Sequence, residues 1–104
     1  MDIHSTLANC GGFQWDKGNS LKHWLKHSVS QGEAEEVFFN EPLLLFEDEK
    51  HSEREDRVLA FGRTSGGRYL VIAFTIRQHL IRIISARNMN NKERGAYEKA
   101  QADT

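Results

Sequence analysis

Two groups of side chains in this chain have the types that chemistry on a charged substrate needs. The first is a set of arginines, Arg57, Arg63, Arg77, Arg82 and Arg87, followed by Lys92 and Arg94. A guanidinium is planar, permanently charged and donates in pairs, so it suits phosphate or carboxylate oxygens better than an ammonium does. Cations of this kind on one surface would bind a polyanion, because each one that meets a phosphate releases counterions. The alternative is a solvated rim paired with Glu55, Asp56 or Glu93. The second group can move protons: Lys26 and His27 in one segment, His51 and Glu55 in another. His23 and His27 stand four residues apart, as a helical metal pair would. The glutamate that a zincin places between its histidines is missing, however, and Lys22 and Lys26 repel a cation. Neither a metal nor a cofactor is expected, since the chain also lacks a glycine-rich phosphate loop, a nucleophile elbow and paired cysteines. Tyr97 is a candidate to stack on a base, although a helix tyrosine packing on a sheet is commoner.

A chain of 104 residues is one domain by size and can support a single core. No apolar run approaches the roughly 18 residues that span a bilayer. The start, MDIHSTLANCGG, has neither the basic opening nor the apolar stretch of a signal peptide and reads as a flexible leader over residues 1–12. The single cysteine, Cys10, excludes an internal disulfide and suits a reducing, cytoplasmic setting. The formal net charge of −1 hides an asymmetry. Residues 1–56 carry five Lys/Arg against twelve Asp/Glu, whereas residues 57–104 carry nine against three. A chain with oppositely charged halves points to a polyanion or to a charged protein partner.

The elements that must position these residues are legible from hydrophobic period. Leu21, Trp24 and Leu25 at helical spacing predict a helix over Asn19 to His27. Ser30 followed by Glu33 is a capping box, so a second helix runs from about Gln31 to Phe39 and stops at Pro42. The period then changes to that of strands. Leu43 to Phe46, Arg57 to Arg63, Arg68 to Ile76 and Leu80 to Asn88 read as four strands, with turns at Ser65-Gly66-Gly67 and Arg77-Gln78-His79. Asn90 with Glu93 caps a last helix to about Ala102. The fold class is therefore α+β, in the order ααββββα, with a four-stranded antiparallel sheet. The third strand is apolar on both faces and must be central. The fourth, LIRIISARN, mixes branched aliphatics with two arginines. Arg82 and Arg87 differ by an odd number and so fall on opposite faces of a regular strand. A bulge near Ser85, or a strand that ends before Arg87, is needed to bring them together.

Taken together, the motifs resemble the BrnT family, the toxin half of the BrnT/BrnA toxin–antitoxin systems. The matching run begins at Trp15-Asp16 with Gly18-Asn19 and passes through Lys26-His27-Ser28-Val29-Ser30 and Glu36-Val37-Phe38. It continues through His51-Ser52, Glu55, Arg57, Gly62-Arg63-Thr64, Phe74-Thr75 and Ile81 to Arg87, and closes on Lys92-Glu93 and Tyr97-Glu98. Ser28 stands where the family usually has glycine. The resemblance implies a RelE-like domain over residues 13–104 and a cytoplasmic ribonuclease toxin that blocks translation without a metal. It also implies a cognate BrnA-like ribbon-helix-helix antitoxin, a toxin–antitoxin hetero-oligomer, operator DNA contacted only through that antitoxin, and no membrane.

RNA cleavage without metal requires the 2′-hydroxyl to lose its proton, the phosphorane charge to be stabilised and the 5′-oxygen to be protonated. Fixed arginines suit the middle task, because preorganised charge acts most strongly where negative charge develops. On this reading Arg63, Arg82 and Arg87 hold the phosphate, and Lys26, His27, His51 and Glu55 are the proton-transfer candidates. Arg57, Arg77, Lys92, Arg94 and Tyr97 contact the rest of the RNA. The rival is a non-catalytic module whose arginines bind nucleic acid or an acidic partner.

Overall fold

The predicted strands form, and the sheet they build is one strand larger than expected. The computed structural model describes residues 3–15, 27–51 and 56–103, with the backbone alone for His51. In chain order these contain α1 (Ile3–Ala8), β1 (Gly12–Gln14), α2 (Gln31–Glu36) extended by a 3-10 turn (Val37–Phe39), and β2 (Leu44–Glu47). A second 3-10 turn (Glu49–His51) precedes β3 (Val58–Arg63), β4 (Tyr69–Arg77), β5 (Leu80–Asn88) and α3 (Asn91–Ala102). The strand order is β1-β5-β4-β3-β2, which makes β4 central as its two apolar faces predicted. Strands β2 to β5 are an antiparallel meander. The expected four-stranded, wholly antiparallel sheet is corrected by β1, which pairs parallel with β5 and sets Phe13 opposite Ile81. Three residues are too few to show a strand period, so Gly12-Phe13-Gln14 carried no pattern to read.

The leader region thus enters the fold, with Ile3, Leu7 and Cys10 resting against the core. Of the two helices predicted at the N-terminal end, that over Asn19 to His27 lies outside the described residues except for His27. The other is α2 with its 3-10 extension, and both halves of the Ser30–Glu33 capping box are made. No helix among the described residues is long and apolar enough to cross a membrane.

Strand alternation sorts the sheet into two faces. On one, Leu70, Ile72 and Phe74 of β4 join Val58, Ala60, Ile81, Ile83 and Ala86 under Val29, Ala34 and Val37. Each such large side chain contributes roughly 1.5–3 kcal/mol on burial. Gly62 lets this layer close, because a Cβ there would lie 2.6 Å from Val37 Cγ1. On the other face α3 lays Tyr97, fully buried, edge-on against Tyr69 with ring centroids 5.4 Å apart. The β4–β5 turn is a two-residue one, Gln78 (φ 50°) and His79 (φ 63°), with Arg77 opposite Leu80. Both positive φ values match the primed turns that hairpin twist favours.

Candidate functional site

The question posed by LIRIISARN has a backbone answer. Ala73 pairs with Ser85 and Phe74 pairs with Ile83, so the register skips Ile84 and β5 carries a bulge. The extra residue reverses the parity beyond it. Ile81, Ile83 and Ala86 are buried in the core layer. Arg82, opposite Thr75, and Arg87, opposite Val71, therefore share the other face. They are not neighbours. Four residues of β4 separate their partners, about 14 Å at the usual strand rise, so one phosphate cannot take both at their Cα positions.

Arg87 is engaged at the α3 end of this face. Its Nη1 and Nη2 donate to Glu93 at 2.8 and 2.9 Å, and Nη1 also donates to the Asn88 carbonyl at 3.2 Å. These charge-assisted bonds hold the Arg87 guanidinium more firmly protonated than usual and, from the other side, push the Glu93 carboxyl below its ordinary range. Arg63 is tied down too, with Nε donating to the Glu41 carbonyl at 3.0 Å. Tyr97 donates to the Pro42 carbonyl at 2.6 Å and lies near Arg63, while burial pushes its phenol up. Enclosed in this way, the Tyr97 ring offers no face to a base, which favours the packing role weighed against it above. Arg94 covers the Tyr69 ring at 4.8 Å and pairs with Glu98 at 3.3 Å.

At the other end of the face, Arg82 is half-buried beside Thr75. Thr75 is 5% exposed, and its Oγ1 finds no hydrogen-bond partner among the described residues. A buried hydroxyl left in that condition costs about 1–3 kcal/mol. Arg77 and Lys92 are exposed, at the β4–β5 hairpin and in the first turn of α3. Arg57 lines a small cleft with Glu47, Glu49 and Asp56, surroundings that disfavour a phosphate. Lys26 and Glu55 lie outside the described residues, as does the His51 side chain.

His27 sits at the end of the sheet where β4 begins and β5 finishes, and the residue that holds it there is Arg68. Arg68 Nη2 donates to the His27 carbonyl at 3.1 Å and Nη1 to the Ser28 carbonyl at 2.7 Å. Nη1 also reaches both Glu33 oxygens at 3.1 Å, and Nε donates to Asn88 Oδ1 at 3.2 Å. The Ser30 N–H and Arg68 together keep the Glu33 carboxyl below its ordinary range against partial burial. Ser28 has φ 53°, in the left-handed region that glycine adopts without a Cβ penalty. Arg68 stood outside the sequence-derived cation set because its partners are 20 to 41 residues away along the chain. Thr75 likewise gave no sign of being unpartnered until Arg82 was placed opposite it.

A family model described as "Ribonuclease toxin, BrnT, of type II toxin-antitoxin system" matches residues 15–93. No curated protein matches the chain. The matched segment includes the Trp15 that donates to Glu35 at 2.7 Å, the Ser30–Glu33 cap, the bulged β5 and the Glu93 that clamps Arg87. This protein belongs to the BrnT family of ribonuclease toxins of type II toxin–antitoxin systems.

Proposed function

We propose that the chain is an endoribonuclease toxin that cleaves RNA, blocks translation and growth, and is neutralised by a BrnA-type ribbon-helix-helix antitoxin in a hetero-oligomer. One observation carries the reading beyond family membership. The bulge at Ile84 turns Arg82 onto the same face as Arg87, beside a buried Thr75 hydroxyl without a partner. Arg82 is the residue we assign to the scissile phosphate, where its fixed charge meets the phosphorane. Arg87 and Arg63, held by Glu93 and the Glu41 carbonyl, shape the adjoining surface and its positive potential. Lys26, His27, His51 and Glu55 are the proton-transfer candidates, of which His27 stands at the Arg87 end of the face, away from Arg82. RNA supplies its own nucleophile in the 2′-hydroxyl, so these residue types suffice for metal-independent cleavage.

The test is direct. Purified protein is incubated with RNA in the presence and absence of a chelator, and with antitoxin added. Cleavage that resists the chelator and stops with antitoxin is the expected result. Intact RNA with salt-sensitive binding would instead identify a non-catalytic nucleic-acid module.

A further inference from the structure

We propose that Arg68 is a positioning residue, whose guanidinium fixes the His27-Ser28 backbone at the sheet end beside Arg87 and thereby sets where the His27 imidazole stands. This inference rests on the ribonuclease reading and names a part of the site that the reading did not include. Arg68 uses all three of its nitrogens on four residues: Asn88, Glu33, Ser28 and His27. Donors committed in this way serve the protein's own chain.

The anchor is separable from the rest of the local structure. Ser30 and Glu33 cap α2 through their own reciprocal bonds at 3.1 Å, and Val29 is fully buried in the core. Those contacts start the helix without Arg68. What Arg68 adds is the pair of bonds to the His27 and Ser28 carbonyls, on either side of a residue held in the left-handed region that a Cβ disfavours. The same guanidinium closes a continuous path across the sheet end. Glu93 holds Arg87, Arg87 donates to the Asn88 carbonyl, and the Asn88 side chain accepts from Arg68, which holds His27. The candidate proton-transfer residue and an arginine of the cationic face are thus registered to one another through two arginines and one asparagine. A lysine cannot reproduce this, because three donors on one nitrogen cannot span acceptors that the fork reaches separately.

Arg68→Lys is therefore the informative variant, with Arg68→Ala as the more drastic one. The measurements are kcat and KM for a short RNA, the pH–rate profile, and the His27 imidazole resonances. For a folded Arg68→Lys protein the account expects kcat lower by about 10- to 100-fold, the effect of misplacing a catalytic group by about 1 Å, with KM little changed. The His27 limb of the profile and the His27 resonances shift, while those of His4 and His79 stay in place. A folded Arg68→Lys protein with wild-type kcat and unmoved His27 resonances overturns the inference. So does a loss in which every histidine resonance moves together, since that describes general unfolding. A wild-type protein that leaves RNA intact overturns the ribonuclease reading itself, an outcome distinct from an active wild type indifferent to Arg68.

Discussion

One carboxylate, Glu93, holds Arg87 and starts α3 at the same time. Its two oxygens accept from the two terminal nitrogens of Arg87 at 2.8 and 2.9 Å, and Oε1 also accepts from the Asn90 N–H at 2.9 Å. The helix end and the arginine are consequently one unit, and the Tyr97–Tyr69 contact seats that unit on the sheet.

Substitution at Glu93 separates the two duties. Glutamine can still serve the capping box, so Glu93→Gln loses only the ionic part of the clamp, about 0.5–1 kcal/mol for a partly exposed pair. Glu93→Ala loses the cap as well, a further ~1 kcal/mol. Urea unfolding measures both. Equal losses in the two variants would show that the ion pair and the cap are not distinct contributions.

Acid should weaken the fold through two named groups. Glu33 and Glu93 both have folded-state pKa values below their ordinary one, chiefly through the Ser30 N–H and the Arg87 guanidinium respectively. A depressed pKa gives stability that is fully present above the unfolded value of about 4.3 and is lost as pH falls through the folded value. The double variant Glu33→Gln/Glu93→Gln should therefore show a flatter decline of stability below about pH 5 than the wild type. Parallel acid curves would contradict the assignment.

Ser28 offers a stabilising change. At φ 53° a serine carries a left-handed penalty that glycine avoids. Glycine gives part of this back by loosening the unfolded chain, which leaves a net gain of up to about 1 kcal/mol. A Tm for Ser28→Gly below the wild type would contradict the strain argument.

The meander was legible because β2 to β5 and their turns declare their period, and both capping boxes mark the starts of α2 and α3 in the sequence. Three things were not. The parallel strand β1 is only three residues long and draws its pairing from β5, almost 70 residues away. The bulge at Ile84 is a choice of register between two strands, and nothing local to Ile83-Ile84-Ser85 distinguishes it from regular pairing. The duties of the arginines are also a matter of tertiary contact. Arg63, Arg82 and Arg87 share a residue type and a face, yet Arg63 holds the Glu41 carbonyl, Arg87 holds Glu93, and Arg82 stands beside Thr75. Arg68, which appeared only as the start of a strand, proved to bind four residues at the sheet end.

The central claim is that Arg82, brought onto the shared face by the bulge, meets the phosphate in the transition state. Single-turnover RNA cleavage by Arg82→Ala, with Lys99→Ala as an exposed control and folding checked by near-UV circular dichroism, tests it most directly. Removing one preorganised donor to a developing oxyanion costs about 10²- to 10³-fold in rate, and that loss is expected for Arg82→Ala alone. A folded Arg82→Ala protein that cleaves RNA and arrests growth as the wild type does would contradict the account.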